Sequence, residues 1–171
     1  MDKKSQIIKL PDEPYQAAIQ KYGRDGAHIP GDDESTPWVP FGESAAIKHL
    51  CFDVRTNSVA NILWVKGGGK IGTHKHRGVV SAVTLEGSWA YYEYDWTAKP
   101  GDFVYELPGA AHTLYSDDPN GMKALFWING PIEFYDDNAK YVFTADVFWF
   151  IDHYTSYCRE KGLKINEQMF I

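Results

Sequence analysis

At 171 residues, the chain is long enough for one domain with a sizeable core and too short for two comfortable ones. A formal net charge of −6 without any basic block argues against a nucleic-acid partner. No apolar stretch approaches the roughly 20 residues needed to span a bilayer, and the Met1-Asp2-Lys3-Lys4 start lacks the apolar core of a signal peptide. The expectation is therefore a cytoplasmic protein away from membranes. Cys51 and Cys158 match no metal or redox spacing and read as free thiols. The 15% aromatic content favours a β-rich fold, because aromatic side chains suit a pleated, half-buried surface.

Residues 1–37 carry Pro11, Pro14, Pro30 and Pro37 and the acidic run Asp32-Asp33-Glu34. They read as an N-terminal arm, with a short helix possible around Tyr15–Tyr22. From Ile47 to Ile132, short runs rich in β-branched and aromatic residues alternate with turn signals such as Gly67-Gly68-Gly69, Lys99-Pro100-Gly101-Asp102 and Asn129-Gly130-Pro131. Strands are expected near 48–54, 59–65, 71–76, 79–85, 89–95, 102–106, 111–115 and 123–128. Turns every 8–12 residues suit an all-β sandwich or barrel. Beyond it, Val147, Ile151, Tyr154 and Cys158 fall on one face of a helix. Thr144 is its expected N-cap, Asp146 suits the first turn and Gly162 the stop. The expected divisions are the arm over 1–37, a barrel over 38–135 and a helical extension over 136–171 that packs on the barrel.

On a strand, residues i and i+2 share a face, so His74-Lys75-His76 sends two imidazoles one way. The pair alone also fits two solvated surface histidines; its surroundings point further. Gly68, five residues, His74-Lys75-His76, three residues, Val80, six residues and Gly87 match the first motif of the cupin superfamily, except that Val80 stands where the motif has Glu. Gly101, five residues, Leu107-Pro108-Gly109, two residues, His112, three residues and Ser116 match the second, with Leu107 and Ser116 departing. The chain resembles the cupins. That resemblance implies an all-β jelly-roll barrel holding a divalent metal on His74, His76 and His112. With Val80 in the Glu slot, three neutral imidazoles would leave the double positive charge uncompensated and adjacent positions free, which suits an anionic chelating ligand. A degenerate cupin that has lost its metal is the other reading of the same departure.

Glu106 is expected on the inward face of its strand with Val104, as a catalytic-site carboxylate that orients a ligand imidazole; a rim salt bridge from Arg77 is the alternative. Glu93 is the other candidate carboxylate for a metal. Tyr92, Tyr94, Phe103, Tyr105, Leu114, Phe126 and Ile128 read as barrel wall. His28, His49 and His153 have no metal-like company.

The stretch Leu85 to Trp96, then Gly101-Asp102-Phe103 and Pro108-Gly109-x-x-His112-Thr113-Leu114, with Pro37-Trp38-Val39-Pro40 and Asp146-Val147-Phe148, resembles the 2,4'-dihydroxyacetophenone dioxygenase type. The vacated Glu slot is similar to acetylacetone dioxygenase. These resemblances imply a non-haem Fe(II) dioxygenase that cleaves a C–C bond next to a carbonyl in a β-dicarbonyl or hydroxyketone. Its partners would be a small carbonyl substrate and dioxygen, with Zn(II), Ni(II) or Mn(II) as other metals the site would accept. The chain is also similar to the cupin domain of zinc-binding anti-sigma factors, which implies a non-enzymatic Zn- or ligand-sensing protein instead. A metal-dependent isomerase or hydrolase is a third reading. The proline-rich arm suggests overlapping subunits in a homo-oligomer, a dimer or a dimer of dimers.

Overall fold

A computed structural model of the protein describes Ala17, Lys21 and residues 26–171. The helix expected around 15–22 lies outside the described residues, apart from Ala17 and Lys21, which are helical. Among the described residues the chain forms β1 (Trp38–Phe41), β2 (Ala45–Asp53), β3 (Ser58–Val65), β4 (Gly69–Lys70), β5 (His74–His76), β6 (Val80–Gly87) and β7 (Ala90–Tyr91). These are followed by β8 (Phe103–Glu106), β9 (Ala111–His112), β10 (Leu114–Ser116), β11 (Met122–Asn129), β12 (Ile132–Tyr135), β13 (Tyr141–Ala145) and helix α1 (Val147–Lys161).

The strands form an antiparallel jelly roll. One sheet runs β1-β2-β3-β11-β6-β8, a second β13-β12-β5-β9 and a third β4-β10-β7. Side-chain alternation decides what lies between them. On β11, Met122, Ala124, Phe126 and Ile128 are buried while Trp127 is exposed. On β6, Val80, Ala82 and Thr84 are buried in the same rhythm.

Four strands, β1, β4, β12 and β13, lie outside the sequence expectation, and one of them bears on function. β12 alternates buried Ile132 and Phe134 with half-buried Glu133 and Tyr135, and it pairs with β5, so it fixes the strand that carries His74 and His76. The strand expected over 71–76 leaves the ladder between Lys70 and His74, and the one expected over 89–95 ends at Tyr91, where the chain turns. In consequence Tyr92 and Tyr94 face solvent rather than the barrel wall, as do Phe103 and Tyr105 on β8. Leu114, Phe126 and Ile128 are buried as expected.

The tight bend from β5 to β6 requires glycine at position 78, since a Cβ there would overlap the carbonyl oxygen of Asn129.

Helix α1 begins two residues later than expected. β13 pairs through Thr144 and Ala145, so Asp146 is the N-cap, its carboxylate accepting the Trp149 N–H at 2.9 Å. Gly162 ends the helix in a left-handed conformation with φ 66°. Val147, Phe150, Tyr154 and Cys158 form the buried face, with Ile151 half-buried beside it. That face packs against β2, β13, β1 and β3. The Tyr154 hydroxyl accepts the Asn166 N–H at 2.9 Å, and the Ile171 N–H reaches the Phe52 carbonyl at 3.0 Å, which ties the tail to the barrel. No described helix is long and apolar enough to cross a membrane.

Candidate metal centre

Strand β5 is three residues long, and both of its neighbours serve the site. β12 flanks it on one side. On the other, β9 places His112 directly opposite His74. All three imidazoles are buried, and each offers a ring nitrogen within 4.8 Å of the other two. The His74 Nδ1–H donates to the Gly72 carbonyl at 2.9 Å, which leaves Nε2 as its free lone pair. Burial, with His76 and His112 close by, holds His74 down to about 3, so the ring is neutral and ready to ligate. Tyr91 stacks on His112, with ring centroids 3.6 Å apart and planes within 8°.

The carboxylate absent from position 80 returns from the next strand. Val80 is fully buried and is the Cα partner of Glu106 across the β6–β8 pair. Glu106 Oε2 lies 3.1 Å from His76 Nε2 and 3.2 Å from His112 Nε2. Neither approach has the angle of a hydrogen bond: both Nε2 atoms and Oε2 are buried without a hydrogen-bond partner among the described residues. Two ligands at right angles around an ion, each bonded at about 2.1 Å, stand roughly 3.0 Å apart. Glu106 therefore stands against two of the three imidazole nitrogens, while the histidines alone make up the group whose ligand atoms all lie within 4.8 Å of one another. A buried carboxylate thus lies beside the imidazoles.

Tyr91 steadies that carboxylate, its hydroxyl donating to Glu106 Oε1 at 2.6 Å. Burial, then the Glu106 charge, pushes the Tyr91 hydroxyl well above its usual range, so it remains a donor. Burial pushes Glu106 up, but the imidazoles of His112 and His76 and the Tyr91 hydroxyl more than offset this and hold it below the ordinary carboxylate range. Arg77 does not reach Glu106; it pairs with Glu133 at 2.8 Å. Glu93 accepts the Thr113 N–H at 2.9 Å instead of turning to the histidines. His28 is exposed, whereas His49 and His153 pair with each other at 3.0 Å.

Beside the triad lies a small cavity of about 50 Å³. Its walls are Ile47, Leu63, Phe126 and Ile128 from the large sheet, Phe134 from β12, and Trp149 and Phe150 from α1. His74, His76, Tyr91 and Asn61 are its polar groups. Sequence reading missed Tyr91 and Asn61 as site residues. Tyr91 carried a usable signal, an inward position on a strand next to a ligand strand, while Asn61 is a lone polar residue among inward Val59, Leu63 and Val65.

A donor set of three imidazoles accepts Fe(II), Zn(II), Ni(II) or Mn(II). The unpartnered Nε2 atoms of His76 and His112 fit such an ion.

Comparison with known proteins agrees with this architecture. Residues 27–133 match the family model described as the ChrR cupin-like domain. No curated protein matches the chain. An RmlC-like cupin protein from Ralstonia eutropha JMP134 is similar over 84% of this chain and 94% of its own, with 26% identity and a TM-score of 0.78. An acetylacetone dioxygenase from Acinetobacter johnsonii is similar over 78% of this chain and 93% of its own, at 20% identity and a TM-score of 0.68. The anti-sigma factor ChrR of Rhodobacter sphaeroides, solved in complex with SigE, is similar over 72% of this chain and 69% of its own, at 18% identity and a TM-score of 0.50. At these identities the last two likenesses speak for the fold.

Proposed function

The chain belongs to the family of ChrR cupin-like domains, and we propose that it is a non-haem Fe(II) dioxygenase cleaving a C–C bond next to a carbonyl in a β-dicarbonyl or hydroxyketone. The observation that carries the reading is the convergence of His74, His76 and His112, with Glu106 against two of them, beside a small and mostly apolar cavity. The likeness to an acetylacetone dioxygenase supports it.

His74, His76 and His112 would hold the ion, with Glu106 as a further ligand. Bound iron would supply Lewis acidity towards a carbonyl ligand and redox chemistry with dioxygen. The protein's own contributions are positional. The Gly72 carbonyl fixes the His74 tautomer, Tyr91 holds both the His112 ring and the Glu106 carboxylate, and the apolar walls exclude water. Three neutral rings and one carboxylate leave a divalent ion with one net positive charge, which matches a monoanion such as the enolate of an acidic diketone. No further general base is required for a substrate that acidic. A homo-oligomer in the cytoplasm belongs to the same reading.

The match to the ChrR cupin-like family and the likeness to an anti-sigma factor favour a second reading, a non-enzymatic Zn- or ligand-sensing protein. One experiment separates the two. Protein reconstituted anaerobically with Fe(II) is mixed with pentane-2,4-dione or a hydroxyketone, then with oxygen. Substrate-dependent oxygen uptake with C–C cleavage products supports the dioxygenase. Tight Zn(II) binding with no uptake across both substrate classes overturns it in favour of the sensor.

A further inference from the structure

The alternation that builds the core also decides what the outside of the large sheet shows. β6, β8 and β11 turn Val80, Ala82, Glu106, Phe126 and Ile128 inwards, so the residues between them face outwards. The register sets these in two rows across the three strands. Leu125, Val83 and Phe103 are successive partners in one row, and Trp127, Ser81 and Tyr105 in the other. An antiparallel sheet with one face on the core ordinarily shows a polar second face. Here, apart from the Ser81 and Tyr105 hydroxyls, the six are apolar, and none is charged. Trp127 is 48% exposed, Tyr105 58% and Phe103 63%. The Phe103 and Tyr105 rings already stack on each other, with centroids 6.5 Å apart.

The surroundings of this face differ from it. At the β2 end of the sheet the chain covers itself, where Lys48 Nζ donates to the Gly31 carbonyl at 2.7 Å and to Asp33 at 2.8 Å. Beyond Leu125 and Val83, Lys123 and Glu86 form an ion pair at 2.9 Å. A charge-free apolar centre with a polar rim is the anatomy of a contact between proteins. A large aromatic side chain carries about 150–250 Å², so the three rings at these exposures, with half-buried Leu125 and Val83 between them, offer on the order of 500 Å². Two such faces together come to about 1,000 Å², and the rim brings the total into the range of a specific interface. Each copy has a formal net charge of −6, so two copies meet at least electrostatic cost where neither presents a charge. A two-fold contact also needs only one patch per chain.

We propose that the outer face of β6, β8 and β11 is the contact with a second copy of this chain, the two sheets packed face to face across a two-fold axis at about 10 Å. Trp127, Phe103 and Tyr105 are its anchors, and Ser81, the smallest residue of the two rows, leaves the recess between Trp127 and Tyr105 that a ring of the second copy fills. The same strand pair carries Val80 and Glu106 on its inner side, so the second copy backs the strands that bring a carboxylate to His76 and His112. The homo-oligomer of the proposed function thereby gains a definite interface on the barrel rather than on the proline-rich arm. The assignment rests on that part of the reading alone, and on neither the metal nor the substrate.

Sedimentation equilibrium of the full chain at micromolar concentration tests this. The parent protein should give about twice the 19.4 kDa of one copy. Ser81→Lys keeps every packed side chain of the single chain but sets two ammonium groups in the middle of the contact, so the dissociation constant should rise by about 100-fold or more. Its mass should fall to that of one copy, and Trp127→Glu should do the same by removing an anchor. Phe148→Glu alters a side chain that is 63% exposed on α1 and should leave the dimer intact. Circular dichroism checks that each variant is folded, and Ser81→Lys decides the matter should Trp127→Glu unfold. The Tm should rise with protein concentration in the parent and in Phe148→Glu but not in the other two. A parent that sediments as a single copy overturns the proposal and the homo-oligomer with it. An oligomer whose mass neither sheet variant lowers, or that Phe148→Glu breaks as readily, overturns the sheet face alone and moves the contact to another surface.

Discussion

If Glu106 supplies the carboxylate that position 80 lacks, moving that carboxylate across the strand pair should preserve the site, and doubling it should not. Val80 and Glu106 are Cα partners on adjacent antiparallel strands, Val80 fully buried and Glu106 6% exposed. Opposed side chains there begin about 5 Å apart. Two carboxylates at that distance repel by about 3 kcal/mol at an effective dielectric constant of about 20. The extra bulk of Val80→Glu adds about 1–3 kcal/mol of overpacking. Val80→Glu alone should therefore destabilise the metal-free protein by about 4–6 kcal/mol. The exchange variant, Val80→Glu with Glu106→Val, carries one carboxylate again, so a double-mutant cycle should return a coupling of about 3 kcal/mol. Urea unfolding of chelator-treated protein near neutral pH measures this term. Competition against a chromophoric chelator measures the metal: Glu106→Val should lose about 100-fold or more in affinity, beyond the loss typical of an outer-shell partner, and the exchange variant should recover most of it. A cycle with no coupling, or an exchange variant that binds metal no better than Glu106→Val, would refute the equivalence of the two positions.

Three further outcomes follow from the geometry. His112→Ala should lower the metal content from near one ion per chain to near zero by elemental analysis, with an unchanged far-ultraviolet circular dichroism spectrum and a Tm a few degrees lower, because Tyr91 loses the ring it stacks on; an unfolded variant would mean that the ion is structural. Burial holds His49 well below 6.5 and His153 below it too, although the Pro40 carbonyl and Asp152 pull His153 upward. The unfolded chain therefore binds more protons near pH 6, and stability should be full above about 6.5 and decline as the pH falls below it; a flat profile of urea midpoints, or one unaltered by His153→Gln, contradicts this. Asp146→Ala should cost about 1 kcal/mol through loss of the N-cap, read as a Tm lower by about 2–4 °C, and an unchanged Tm would show that tertiary packing alone sets the start of α1.

What the sequence disclosed about the site was what strand periodicity carries. His74 and His76 share a face because they are two residues apart, and the spacing of the glycine turns located His112. Val80 was legible as an inward position for the same reason. Glu106 was legible as inward too, two residues on from Val104, but its distance from Val80 was not. That distance depends on the β6–β8 register, a pairing of residues 26 apart in the chain, and no local pattern encodes it. The missing carboxylate therefore read as a missing charge. The structure brings a carboxylate beside His76 and His112 from the facing strand.

The misread aromatics have a similar cause. Tyr91, Tyr92 and Tyr94 look like one alternating strand, yet the chain turns after Tyr91, so the only one of the three that stays in the ladder is the one that reaches the centre. Thr144 and Asp146 were both suitable caps by residue type. The choice between them fell to β13, whose pairing with β12 uses Thr144 and Ala145.

On the reading in which Glu106 is a further ligand, its carboxylate also changes what the centre would select. With three neutral rings and no acid, a divalent ion would attract a dianion most strongly. With Glu106 beside His76 and His112, its net charge is one, and a buried apolar wall penalises any charge left unbalanced. A monoanion closes that balance and a dianion overshoots it. The aromatic lining then favours a ligand whose remaining surface is apolar. Ligand charge is thus set by the histidines with Glu106 and ligand polarity by the apolar lining, so substitutions in one should shift one selectivity without the other.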